Sequence, residues 1–181
     1  SSNTTKTETF TWKGSDTFNI DEYDQIKNAL KISDDELLKL GYPDNPGGII
    51  SDWIGYKEDI IKDLQMIINM KCYDKIVTHN PQGEYGHIHH KMLNRMVTKI
   101  VRENSLVDHL YYFAKYYTKE EMNLSSVAKF PIKNYNQKMN EMVKVYKSQG
   151  FIEDSFGHIM TSEEWQKYTD LIETSVTKSM N

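Results

Sequence analysis

The apolar positions between residues 56 and 101 change period twice. From Tyr56 to about Met70, Ile60, Ile61, Leu64, Ile67 and Ile68 recur at helical spacing, with Lys57, Glu58, Lys62 and Asp63 on the remaining surface. This predicts an amphipathic helix. Tyr73-Asp74-Lys75-Ile76-Val77 then reads as a short buried strand, spanning about 74–79. After a polar, glycine-bearing stretch the helical period returns, with Met92, Leu93, Met96, Val97, Ile100 and Val101 on one face. A helix, a strand and a second helix follow one another.

The flanking pattern is weaker. Residues 1–6 are polar and expected to be disordered. Thr9 to Trp12 alternates like a strand, and Asp21 caps an expected helix running to about Lys31. Ser33 and Glu36 form a capping-box pair for a short helix ending near Leu40-Gly41. Gly41 to Gly48 holds two prolines and three glycines and must be a loop, a natural wall for a binding crevice. Val107 to Tyr117 reads as a strand, with a short helix as the alternative. Lys133 to about Gln149 is helical and closed by Gly150, and Ser162-Glu163-Glu164-Trp165 opens a last helix toward Thr177. Alternating helices and strands predict one layered α/β domain over 7–181.

Composition narrows the function classes. The chain has 181 residues, enough for a single domain with a real core. Its net charge is −4 with acids and bases interspersed, which argues against a nucleic-acid partner and against a basic helix for an anionic membrane. No run approaches the roughly 18–20 apolar residues of a membrane span. Cys72 is the single cysteine, so an internal disulfide and a thiolate-rich metal site are both excluded, and a reducing, cytoplasmic setting is expected. The start, Ser1-Ser2-Asn3, has neither a Met nor a hydrophobic signal core, as in a trimmed form or a piece of a longer polypeptide.

Candidate chemistry is concentrated in Thr78-His79-Asn80-Pro81-Gln82-Gly83-Glu84-Tyr85-Gly86-His87-Ile88-His89-His90, which carries four of the six histidines. The run falls where a strand ends and a helix begins, the usual place for a ligand in an open α/β sheet. His87 and His90, three apart, share one face of the first helical turn, whereas His89 is rotated off that face and reads as a surface residue. Paired histidines at this spacing are also ordinary surface decoration. A catalytic zinc needs a third protein ligand and an open position for water, whose pKa it lowers to about 7. The available acids are Glu84, Asp44 and Asp52, and His79 is the nearest further imidazole. Tyr85 is either a pocket hydrogen-bond donor or a ring packed under the loop. Gly83 and Gly86 allow close backbone approach or supply positive φ.

The run from Thr78 to His90 strongly resembles the second signature of the PIG-L/LmbE-like deacetylases, zinc-dependent hydrolases that remove acetyl groups from N-acetylated sugars. Helix 56–70 with strand 74–79 is similar to the family's approach to this motif. Lys138 with Tyr146-Lys147-Ser148-Gln149 is similar to a late helix of the family, so the likeness spans roughly 40–165. It implies a Rossmann-like three-layer α/β domain, a Zn2+ ion and a small-molecule or glycoconjugate substrate. Carried over by position, His90 is a zinc ligand, His87 polarises or protonates around the tetrahedral intermediate, and Tyr85 helps bind its oxyanion. Asn80, Glu84 and, on the 41–48 loop, Asp44 are the candidate substrate-binding residues.

The family's first signature, a His-Pro-Asp-Asp-type motif after the first strand, is absent, since no histidine precedes His79. Ser33-Asp34-Asp35-Glu36 echoes it without the histidine. The chain is therefore expected to be a deacetylase whose domain lacks the family's first strand, a catalytically incomplete glycan- or partner-binding relative, or a section of a larger surface-glycan enzyme.

Overall fold

The computed structural model describes Ser33, Leu38, residues 40–42, 51–114, 116–124, His158 and 164–171. The expected strand at 9–12, the helices at 21–31 and 133–149, and most of the short helix after Ser33 lie outside these residues. So do the disordered start over 1–6, Lys138 and residues 146–149, Asp44 with the rest of its loop past Tyr42, and the far end of the last helix.

The described elements run in the order α1 (Ser51–Ile54), α2 (Lys57–Met70), β1 (Ile76–Thr78), α3 (Ile88–Glu103), a 3-10 turn (Val107–His109), β2 (Leu110–Phe113), α4 (Lys119–Leu124) and β3 (Trp165–Lys167). Together they make a mixed α/β arrangement around a small, partly parallel sheet.

α2 forms where the isoleucine stripe predicts it. Glu58 and Asp59 sit in its first turn, where the helix dipole favours negative charge. Its last turn leaves carbonyls without helical partners, and the Tyr73 hydroxyl donates to that of Ile67 at 2.8 Å. Ahead of it, the Tyr42 hydroxyl donates to Asp63 Oδ2 at 2.6 Å and so ties the Gly41-Tyr42 segment to this helix. Burial, and then the Asp63 carboxylate, push the Tyr42 phenol upward.

α3 ends without glycine. Ser105 takes the left-handed conformation at φ 57. The Ser105 N–H donates to the Arg102 carbonyl at 3.2 Å and the Leu106 N–H to that of Val101 at 2.9 Å, the Schellman pattern that satisfies the last carbonyls of a helix. Leu106 is thereby turned onto the core.

In the sheet, β2 is central. β1 pairs with it in parallel through Ile76↔Leu110, Val77↔Tyr111 and Thr78↔Tyr112. β3 pairs with it antiparallel through Tyr111↔Lys167, Tyr112↔Gln166 and Phe113↔Trp165. Along β2 burial alternates, so Leu110 and Tyr112 face the helices. There they meet Ile68 of α2 and Val97, Ile100 and Val101 of α3, with Ile61, Leu64 and Ile76 packed around them. The Tyr112 and Thr98 hydroxyls, 2.7 Å apart, join strand to helix inside this core.

Two expectations change. The strand expected over 107–117 is confined to Leu110–Phe113, because residues 107–109 take a 3-10 turn first. Trp165 does not open a helix: 165–167 is a strand, and the helical turn begins only at residue 168. The capping pattern at 162–165 is a local preference, overridden here by a backbone ladder to β2 that the local sequence does not announce. Among the described residues no helix is long and apolar enough to cross a membrane.

Candidate metal centre

Because β1 and β2 are parallel, both chains leave the sheet at the same edge. Thr78 delivers His79 and Asn80 there, and Phe113 delivers Ala114 beside them. β3 enters at this edge too, with the Ala114 N–H donating to the Glu164 carbonyl at 2.9 Å. The Asn80 side-chain amide donates to the Ala114 carbonyl at 3.1 Å and ties the two parallel exits together. From α3, the buried Asn94 donates to the His79 carbonyl at 2.6 Å.

Between β1 and α3 the chain doubles back tightly. The Gly83 N–H donates to the Asn80 carbonyl at 2.9 Å, and the Gly83 carbonyl accepts from Gly86 and His87 at 3.0 and 3.1 Å. Gly83 and Gly86 have φ of 67 and 101, the left-handed region that glycine enters without penalty. Glu84 also lies there, at φ 56, although it carries a Cβ. The turn ends at His87, which occupies the N-cap position of α3 in an extended conformation.

This turn brings Glu84 between two imidazoles. Its Oε2 accepts from Nδ1 of His79 at 2.9 Å and from Nδ1 of His90 at 2.6 Å, while Oε1 accepts from the Asn80 N–H at 2.9 Å. An ionised carboxylate only accepts, so both Nδ1 atoms carry the proton in the ion-free protein, a proton that ligation at Nδ1 would release. Burial pushes the Glu84 carboxyl up, but the hydrogen bonds from His79, His90 and the Asn80 N–H outweigh it and hold the group at about 2. The side chains of His79, Glu84 and His90 are only 25%, 15% and 24% exposed, so the group is shielded yet reachable.

His79, Glu84 and His90 can together hold a metal ion, since one ligand atom from each lies within 4.8 Å of the others. Two imidazole nitrogens and one carboxylate oxygen suit zinc and other first-row divalent ions.

His90 is in the donor set. His87 stands next to it, ring centroids 4.4 Å apart, so the two do share a face. Tyr85 is half exposed and meets His87, His90 and Tyr116 edge-on at 6.0, 5.6 and 5.8 Å. Glu84 lies among the donors, and Asn80 is buried beneath them. Asp44 and the side chain of Asp52 lie outside the described residues.

His89 corrects the surface expectation. It is 4% exposed and stacks on Trp53, with centroids 4.2 Å apart and planes 4° from parallel. The helical rotation that turns it away from His90 points it at α1 rather than at water. His79, named in the sequence only as the nearest further imidazole, turns out to be a full member of the donor set. Phe113, Tyr116 and His158 were not singled out. Phe113 lies 5.7 Å from His79, and Tyr116 leads from Tyr85 to His158, whose Nε2 donates to the Tyr117 carbonyl at 2.8 Å. The pairing of β2 with β1 brings Phe113 and, just beyond it, Tyr116 to the site, a long-range contact that no local signal marks.

No protein-family model matches the chain, and comparison with curated proteins and with solved structures likewise finds no match.

Proposed function

We propose that this protein is a metal-dependent hydrolase of the PIG-L/LmbE deacetylase type, removing the acetyl group from an N-acetylated amino sugar or a glycoconjugate carrying one. The observation that carries this reading is the His79–Glu84–His90 donor set at the common exit of two parallel strands, with His87 against it. The resemblance of residues 78–90 to the family's second signature supports it, and the parallel β1–α3–β2 unit suits a Rossmann-like three-layer domain without the family's first strand. Zinc, when bound, would supply a Lewis acid and lower the pKa of its water.

In the reaction, water adds to the acetyl carbonyl carbon, the carbon–nitrogen bond breaks, and the nitrogen takes a proton to leave as a free amine beside acetate. On this reading His87 hands over that proton, and the Tyr85 hydroxyl hydrogen-bonds the carbonyl oxygen as charge develops on it. Glu84 would be the third ligand beside His79 and His90, and in the ion-free protein its Oε2 holds both rings through Nδ1. The same reading puts the protein in the reducing cytoplasm, on the strength of its single and exposed Cys72.

The missing first signature favours a second reading, a catalytically incomplete relative, or a section of a larger surface-glycan enzyme, that binds a glycan or a partner through this edge. Metal analysis and acetate release decide between them. The hydrolase reading expects stoichiometric zinc, its loss in His90→Ala, and acetate from N-acetylglucosamine derivatives. Zinc without acetate release selects the binding domain. No divalent ion in the wild-type chain removes the metal reading altogether.

A further inference from the structure

We propose that Asn80 is the positioning residue of this metal centre, holding the Glu84 carboxylate against His79 and His90 without itself touching an ion. The proposal rests on the metal-binding reading above and assigns a role to a residue that the sequence pattern places among the substrate contacts.

Asn80 is buried, at 6% exposure, and its side chain is turned into the fold. Oδ1 accepts from the backbone N–H of Gln82 at 2.9 Å and from that of Glu84 at 3.0 Å. Nδ2 donates to Ala114 at the exit of the neighbouring strand at 3.1 Å. Its backbone N–H takes Oε1 of Glu84 at 2.9 Å, which leaves Oε2 for both imidazoles. Asparagine is suited to this place because its short amide closes a turn two residues on while still offering a donor on the other side.

These bonds matter because of what Glu84 does. A residue with a Cβ is disfavoured at φ 56, so Glu84 stays there only while something holds its amide. That something is Oδ1 of Asn80. Remove it, and the Glu84 N–H loses its acceptor, the left-handed backbone loses its support, and the carboxylate is held only from its own far end, by the Asn80 N–H and the two rings. His79 follows Thr78 directly and is held independently by Asn94, so the imidazoles stay while the carboxylate they share loosens. A residue that only stabilised the loop would lower stability and leave metal affinity alone.

The test compares wild type, Asn80→Ala and Asn80→Asp in the full chain, with zinc as the titrant and circular dichroism as the check on folding. Asn80→Ala is expected to weaken zinc binding roughly 10- to 100-fold, the range for an outer partner of a metal ligand, and to speed amide hydrogen exchange at Gln82 and Glu84. Asn80→Asp keeps an acceptor for both amides but cannot donate to Ala114, and is expected to bind zinc within about threefold of wild type. A folded Asn80→Ala with wild-type zinc affinity overturns the proposal. If Asn80→Ala does not fold, Asn80→Asp decides, and a loss of roughly 10- to 100-fold there overturns it instead. A wild-type chain that takes no zinc sinks the metal reading, and the exchange rates at Gln82 and Glu84 still decide whether Asn80 holds the turn.

Discussion

The imidazole of His79 lies flat on that of His90, with centroids 3.7 Å apart and planes 9° from parallel, and both rings donate to the same oxygen of Glu84. One residue comes from the end of a strand and the other from the first turn of a helix. Their meeting makes His79 an equal member of the donor set. Replacing either with alanine is expected to lower zinc affinity by roughly 100-fold or more, beyond the effect of losing an outer partner. His109→Ala, whose ring lies at the exposed far end of β2 against the Asp74 carbonyl, leaves affinity unchanged. Calorimetric titration of the three variants tests this, and normal binding by His79→Ala would remove it from the set.

Gly83 is a sharper probe of the turn. A Cβ there would stand 2.5 Å from the His87 carbonyl oxygen, a backbone atom that cannot step aside, at a φ of 67. Gly83→Ala is expected to cost about 1–3 kcal/mol in stability and to loosen zinc binding with it. Gly86→Ala meets only open space, so its cost is the conformational one alone, about 1–2 kcal/mol. Urea midpoints of the two variants should rank in that order.

His89 separates packing from chemistry. His89→Ala removes a buried ring from its stack on Trp53 and is expected to cost about 1–3 kcal/mol. Zinc affinity should stay within about threefold of wild type, because His89 is not among the donors. A loss of zinc as large as that of His90→Ala would put His89 back into the site.

Acid should act through Glu84. Its carboxyl is held at about 2 in the folded chain against an ordinary 4.5, so the folded state binds its proton less readily than the unfolded state does. The stability this contributes is complete above pH about 4.5 and is lost as pH falls through about 2. In metal-free protein, thermal denaturation across this window should fall more steeply for wild type than for Glu84→Gln. Parallel curves for the two would count against an ionised Glu84 between the rings.

The core has its own test. Ile100 is 1% exposed at the centre of the cluster joining α2, α3 and β2, and Ile100→Ala is expected to cost about 2–5 kcal/mol. Met66, 62% exposed on α2, should tolerate alanine within about 0.5 kcal/mol. Denaturant titration of both variants measures the contrast.

Much of this arrangement is legible before folding. α2 and α3 follow from apolar residues recurring at helical spacing, β1 from the short run between them, and the turn from Gly83 and Gly86. Such signals act within a few residues and need no distant partner. His87 beside His90 follows in the same way, from residues three apart at the start of one helix. Where a distant element intervened, local signals misled. Trp165 sits in a strand because Phe113 offers it a ladder, and His89 is buried because Trp53 covers the face that water would otherwise have had.

Local pattern thus sets the elements around the histidine-rich turn and the stock of donors it carries. Which donors meet is settled by contacts between distant elements. Parallel pairing of β1 with β2 sets His79 and Asn80 beside Ala114, and the turn through Gly83 and Glu84 then folds α3 back so that His90 reaches His79 across one carboxylate. Periodicity is a property of neighbours along the chain, whereas a metal centre is a property of neighbours in space.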